Sequence, residues 1–347
     1  MSNYIISQVN ENDLRTLKQV DQLLLNEGIQ RDNNLDCICV MYDEDYQVIA
    51  TGSCFENTLR CFAVRNDHQG EGLLNELISY LIEIQYERGN YHIFLYTKIN
   101  TAPFFRDLGF YEIVRVDGCM VFMENRRNGF SDYIKKLLRL KQEGSSAAIV
   151  MNANPFTFGH QYLVECATKE YDFVHVFVLN EEASLIPFKV RKMLVEQGVS
   201  HLSNVICHES GPYMISNATF PSYFLKDENT IIQTHAKLDI EIFTKIASAL
   251  AIECRFVGEE PFSQVTSLYN EVMRTELPKK GIACRVIERK QSDDVVISAS
   301  TVRLAIKDEN WELLQKMVPQ TTFEFFRSCE AESIIHRLKN EKNVVHY

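Results

Sequence analysis

From residue 147 onward, short continuous apolar runs alternate with amphipathic stretches of helical length. The strand-like runs are "AAIVMNA", "FVHVFVL", "NVICHES", "CRFVGE" and "IACRVIER". Between them lie the helix that opens at His160, then "PFKVRKMLVEQGVSHL", "HAKLDIEIFTKIASAL" and "SQVTSLYNEVMRTEL". A strand that is apolar throughout is covered on both faces, and helices between such strands provide the cover. The pattern therefore predicts a doubly wound parallel sheet. The tail beyond Val302 reads as helical, with "NWELLQKMV" and "EAESIIHRLKN" as its clearest pieces.

The earlier residues follow a different rhythm. "YIISQV", "DCICVMYDEDYQVIATGSCFE", "TLRCFAV", "HIFLYT" and "FYEIVRVDGCMVFME" read as strands, the last as a hairpin turning at Asp117-Gly118. "ENDLRTLKQVDQLLLNEG" and "EGLLNELISYLIEIQYERG" read as helices closed by Gly28 and Gly89. A chain of 347 residues exceeds one ordinary domain. We therefore expect a mixed α+β domain over 1–127, a helical linker over 128–145 ending at Gly144-Ser145, and a second domain over 146–347.

Net charge is −11, which opposes a nucleic-acid partner, because backbone binding needs concentrated Lys and Arg. A small anion is still admissible at helix termini. Ten cysteines occur with no Cys-x-x-Cys pair, mostly in apolar runs such as "DCICVMY". They read as reduced core residues, and imply a cytoplasmic setting. "MSNYIISQVNENDL" lacks the basic start and apolar segment of a signal peptide. No apolar run approaches the roughly 18 residues of a membrane span.

Two polar interruptions carry the chemistry. In "VMNANPFTFGHQYLVECA" the first parallel strand ends near Asn152, and His160 opens a helix. Gly159 permits close backbone approach there. Free N–H groups and the helix dipole at such a start suit phosphate. They also disfavour a cationic imidazole, leaving a neutral ring able to donate one hydrogen bond. In "VVISASTVRLAI", Ser298, Ser300 and Thr301 surround a second helix start, with Arg303 in its first turn. Each motif alone is compatible with an ordinary helix cap. Two phosphate-type starts flanking one parallel sheet point instead to one clamp.

Thr157-Phe158-Gly159-His160 resembles the T/H-x-G-H motif of the nucleotidyltransferase superfamily, and Ile297–Arg303 resembles its I-S-x-S-x-x-R motif. "NANPFTFGHQYLVE", "SGPYMISNATFPSYFLK", "VGEEPFSQVTSLYNEVM" and "ISASTVR" together resemble the citrate lyase ligase family, across essentially the whole chain. That resemblance implies an ATP-dependent ligase. Acetate would be adenylated on the α-phosphate with pyrophosphate leaving. The acetyl group would then pass to the prosthetic-group thiol of the citrate lyase acyl carrier subunit, which bears phosphoribosyl-dephospho-CoA, releasing AMP.

In that reading His160, Thr157, Lys226 and Arg303 are the catalytic groups. Asn152, Asn154, Pro155, Phe156, Gly159, Arg191, Gly258, Glu259, Ser298, Ser300 and Thr301 line the nucleotide site, with Mg2+ accompanying ATP. No resident metal site is expected. For Lys226, Arg191 and Glu259 a solvated surface position is an equal alternative.

"VRNDHQGEGLLNELISYL" sets Gly70 and Gly72 between strand and helix, and "NTAPFFRDLGFYEI" follows one strand later. Together they resemble the GNAT acyltransferase fold, with Gly70 and Gly72 at its pyrophosphate loop. The Arg or Gln of that motif is Asp67 here. The resemblance implies a pantetheine- or CoA-like group in the first domain, gripped for delivery of its thiol, or else a docking domain. Two other functions share these motifs: an adenylyltransferase of the pantetheine-phosphate type, and a binding or regulatory acetyltransferase.

Overall fold

The computed structural model describes residues 4–32, 34–181, 184–214, 220, 223, 228–259, 264–289, 291–292, 295–341 and 344. The chain divides into two compact units, Met1–Phe130 with Pro221–Thr234, and Ser131–Phe220 with His235–Tyr347. Residues 221–234, numbered within the second domain by sequence order, thus group with the first unit. Local periodicity carries no information about such a return.

The first unit runs β1 (Ile6–Gln8), α1 (Leu14–Asn26), β2 (Cys37–Tyr42), β3 (Val48–Phe55), β4 (Thr58–Val64), α2 (Leu73–Glu87), β5 (Phe94–Thr97), α3 (Ala102–Asp107), β6 (Tyr111–Val116) and β7 (Met120–Glu124). Its sheet has the order β1-β2-β3-β4-β5-β7-β6. Every neighbouring pair is antiparallel except β4 and β5, which are parallel. That pair meets only at Thr58↔Phe94 and Leu59↔Leu95, so the strands part beyond their first residues. A register shift between Thr51 and Ser53 opposite β4, with Cys61 at φ 55°, bends β4 there. α1 turns Leu17, Val20, Leu23 and Leu24 onto one sheet face, with Val40, Val48, Cys61 and Ala63. α2 and α3 cover the other face through Leu73, Leu77, Leu81 and Phe105.

The second unit begins within α4 (Gly129–Leu138), then runs β8 (Ser146–Met151), α5 (Phe158–Thr168), β9 (Phe173–Val178), α6 (Phe188–Gly198) and β10 (Val205–Glu209). α7 (Glu228–Leu250), which belongs to this unit from His235 onward, β11 (Ile252–Gly258), α8 (Gln264–Glu276) and β12 (Ala283–Ile287) follow. A short hairpin, β13 (Gln291–Ser292) and β14 (Val295–Val296), precedes α9 (Ala299–Lys307), α10 (Trp311–Met317), α11 (Gln320–Arg327) and α12 (Glu332–Asn340).

The strand order is β10-β9-β8-β11-β12, and every neighbouring pair is parallel. This is the doubly wound α/β sheet expected from the alternation. The chain leaves β8 toward β9 and β10, then returns to β11 and β12 on the other side. The order therefore reverses between β8 and β11, the place where such sheets bind ligands beyond the strand ends. The tail helices join the same core through Val302, Leu314, Phe326 and Leu338. His175 on β9 and His208 on β10 form a buried pair, Nδ1 to Nε2 at 2.8 Å. Among the described residues no helix is long and apolar enough to cross a membrane.

Candidate active site

The turn after β8 is built on a buried ring. Phe156 is fully buried, and a Cβ on Gly198 would fall 2.3 Å from its Cε1, so α6 must carry glycine there. Phe156 stacks on the His160 imidazole, with ring centroids 5.8 Å apart and planes 18° from parallel. Thr157 caps α5. Its Oγ1 accepts from the His160 N–H at 3.3 Å, while its own N–H donates to His160 Nδ1 at 3.1 Å.

That reciprocal bond sets the imidazole's chemistry. A ring nitrogen that accepts a backbone N–H carries no proton, so the neutral ring holds its hydrogen on Nε2. Burial, with a smaller contribution from the positive charge of Arg289, lowers the His160 pKa to about 4. The ring is therefore neutral at physiological pH and has a donor left over. The first turn of α5, beginning Phe158-Gly159, lies beside it.

The second motif comes to the same place. A Cβ on Gly159 would lie 3.6 Å from the Ile297 carbonyl oxygen, so the approach to α9 runs alongside the start of α5. Ser298 caps α9, accepting from the Thr301 N–H at 3.0 Å. Its Oγ also lies 2.9 Å from Ser300 Oγ and 2.7 Å from Thr301 Oγ1. Two helix starts and three hydroxyls thus converge at the reversal of the sheet. Gly258 and exposed Glu259 end β11 on its other flank, held by Asn270 Nδ2 to Gly258 O at 3.0 Å and Glu259 N to Ile287 O at 2.8 Å.

The two arginines expected to meet phosphates face inward. Arg303 is buried, donating from Nε to Val344 O and from Nη1 to Asn154 O, each at 2.6 Å. Burial lowers its pKa to about 10. Arg191 is fully buried on α6. It donates to the carbonyls of Asn152 (2.7 Å), Leu179 (2.9 Å), Ile186 (3.0 Å) and Glu181, and to Asn152 Oδ1 at 2.7 Å. Both guanidiniums tie together the loops around the strand ends. Helix periodicity alone cannot distinguish such an internal tie from a ligand contact. Lys226 lies outside the described residues.

Some groups at the site escaped sequence reading. Arg289 follows β12, donates to Glu259 O at 2.9 Å and sends its field to His160. A basic residue just past a parallel strand was its available signal. Glu181 is another such group, and its Oε2, like Nδ2 of the expected Asn154, is buried with no hydrogen-bond partner among the described residues. Ser184 Oγ links Glu181 and Asn152, lying 3.4 Å from Glu181 Oε1 and accepting from Asn152 Nδ2 at 3.0 Å.

In the first unit, Gly70 (φ 88°) and Gly72 (φ 81°) adopt left-handed conformations that a side chain would strain, and Gly72 opens α2. They line a cavity of about 460 Å³. Asp67 does not leave a bare charge there, because Arg65 Nε meets its carboxylate at 2.7 Å.

The second unit is thus a doubly wound α/β domain with paired helix starts at its switch point. Residues 146–326 match the family model for the citrate lyase ligase C-terminal domain. Citrate (pro-3S)-lyase ligase from Haemophilus influenzae is 34% identical over 91% of this chain and 96% of its own length. The proteins of that name from Escherichia coli (33%; 94% of each chain) and Klebsiella pneumoniae (37%; 84% of this chain, 87% of that one) are similarly close. Among solved structures, Escherichia coli ElaA matches at 14% identity and a TM-score of 0.32, over 35% of this chain and 99% of its own. A Staphylococcus aureus acetyltransferase of the GNAT family matches at 16% and 0.29, over 35% and 100%. The chain belongs to the citrate (pro-3S)-lyase ligase family, a family of enzymes.

Proposed function

We propose that this enzyme activates acetate with ATP and passes the acetyl group to the prosthetic thiol of the citrate lyase acyl carrier subunit. The observation that carries the proposal is the convergence of the Thr157–His160 and Ser298–Thr301 helix starts, with Gly159 against the Ile297 carbonyl. An acetate oxygen attacks the α-phosphorus, the α–β bridging P–O bond breaks, and pyrophosphate leaves. The thiolate sulfur then attacks the acetyl carbon, the C–O bond to phosphate breaks, and AMP leaves. Neither step calls for a covalent enzyme intermediate; both need positioning and charge stabilisation.

His160 Nε2–H and the Gly159 N–H at the start of α5 contact α- and β-phosphate oxygens in this reading. The hydroxyls and N–H groups at the start of α9 receive the departing pyrophosphate. Arg289 replaces Arg303 as the nearby positive charge, while Arg191 and Arg303 hold the loops in register. Asn154 Nδ2, without a partner among the described residues, is a further candidate donor. Among the described residues no group of three His, Cys, Asp or Glu side chains is arranged to hold a metal. Mg2+ would accordingly be held chiefly by the triphosphate and water, its usual manner with nucleotides. The first unit grips the pantetheine portion of the prosthetic arm through the Gly70–Gly72 cavity. Ten free thiols suit a cytoplasmic setting.

Incubating the protein with ATP, Mg2+, acetate and hydroxylamine tests the proposal. Acetate-dependent acetohydroxamate and equimolar pyrophosphate are expected. No hydroxamate, but a dinucleotide formed from ATP and phosphopantetheine, would replace this reading with an adenylyltransferase.

A further inference from the structure

The cavity of the first unit passes through its sheet. β4 and β5 part after Leu59 and Leu95, leaving a wedge. Successive side chains of β4 point to opposite faces. Cys61 and Ala63 lie on the α1 face, whereas Phe62 and Val64 pack toward α2 and α3. The cavity takes its walls from both sides: Gly70, Gly72 and Leu73 by α2, and Glu27, Ile29 and Tyr223 by α1. It therefore enters at the glycine turn and runs through the wedge.

Tyr223 stands at the α1 end. It arrives from the 221–234 return of the chain and is 6% exposed, packed with the cluster that holds Leu23, Cys61 and Ala63. Its hydroxyl donates to Tyr96 O at 2.7 Å, a carbonyl of β5 beyond the last residue paired with β4. Its own carbonyl accepts the Gln30 N–H at 2.6 Å. The ring is thus fastened at both ends across the opening, and burial keeps the phenol protonated as a donor. Lys98 Nζ, bonded to Glu27 O at 3.0 Å, fastens the adjoining wall.

We propose that Tyr223 is the end stop of this cavity, setting how much can follow the sulfur of a bound pantetheine arm. A free thiol or a two-carbon thioester fits; a longer acyl chain meets the ring, and no acyl acceptor reaches the thioester from the α1 side. This inference rests on the reading that the first unit grips such an arm. It makes that unit a selective holder of the thiol, with acyl chemistry left to the nucleotide site.

Calorimetric titration of the full-length protein with CoA, acetyl-CoA and hexanoyl-CoA decides it. The wild type should bind the first two within about threefold of each other and hexanoyl-CoA at least about tenfold more weakly, the consequence of overfilling a packed wall. Tyr223→Ala and Tyr223→Leu, whichever keeps the wild-type circular dichroism, should bring hexanoyl-CoA to within about threefold of CoA. Tyr223→Phe should retain the discrimination, since ring volume rather than the hydroxyl is the barrier. Wild-type binding of CoA and hexanoyl-CoA with equal affinity would overturn the end stop while leaving the arm-binding reading intact. Binding of none of the three would overturn both.

Discussion

Replacing His160 by alanine removes two interactions whose consequences separate. One is structural: the Thr157 N–H loses its Nδ1 acceptor, at 3.1 Å in a half-buried turn. Such a bond contributes about 0.5–1.5 kcal/mol. A domain stable by roughly 5–15 kcal/mol stays folded without it. The other, in the proposed reading, is catalytic: the ring's remaining donor, Nε2–H, meets charge that grows on the phosphates during adenylation. Losing one pre-organised donor of that kind costs about 3–4 kcal/mol of transition-state stabilisation. Pyrophosphate release in a single turnover with saturating ATP, Mg2+ and acetate should slow by about a hundredfold or more, while thermal unfolding shifts little. The pH profile adds a second readout. With its pKa at about 4, His160 stays neutral above roughly pH 5, so it contributes no inflection near the usual 6.5. A folded variant with wild-type pyrophosphate release would refute the donor role. So would a wild-type inflection near pH 6.5 that His160→Ala abolishes.

The buried His175–His208 pair should make the fold acid-sensitive. Burial lowers these pKa values to about 4 and about 3, while the unfolded chain titrates near 6.5. The unfolded state therefore binds more protons below 6.5, and stability present above that pH is lost as pH falls toward 4. The slope is up to about 1.4 kcal/mol per pH unit for each ring. Urea unfolding between about pH 7.5 and 4.5 measures it, and joint replacement by His175→Leu and His208→Phe should flatten the curve; an unchanged slope would assign acid sensitivity elsewhere. Gly198→Ala drives a methyl group to 2.3 Å from Phe156 and should cost about 1–3 kcal/mol of stability. Because Phe156 carries the His160 ring, adenylation should fall in the same variant, and full activity at a lowered melting temperature would show that the ring support is dispensable.

The parallel sheet was legible because its inner strands β8, β9 and β11 are mostly buried apolar runs and the helices between the strands are periodic. Those are local properties, fixed within a dozen residues. The pairing of the two helix starts was also legible, since Gly159 and the Ser298 cap each carry a local signature. The return of residues 221–234 to the first unit was not. Tyr223 is one aromatic residue in "FPSYFLK", and nothing within that stretch says that its hydroxyl will meet the carbonyl of Tyr96, 127 positions away in sequence.

Arg191 and Arg303 show the same limit from the side of charge. An arginine near the start of a helix beside a phosphate-type loop has the composition of a ligand contact. Its role depends on whether the surrounding carbonyls are satisfied by anything else. At the ends of β8 and β9 the chain leaves the sheet, and the Asn152 and Leu179 oxygens need donors that no ladder supplies. Arg191 supplies them, as Arg303 does for Asn154 and Val344. A guanidinium suits this task because its planar fork can bond several carbonyls at once without losing its proton. With Arg191 and Arg303 held inside, the surface that meets phosphate in the proposed reading is left to Arg289, the neutral His160 and the Ser298–Thr301 cap. The start of α5 is held before substrate arrives, because the loop that leads into it from Asn152 to Asn154 is the one that the two guanidiniums bind.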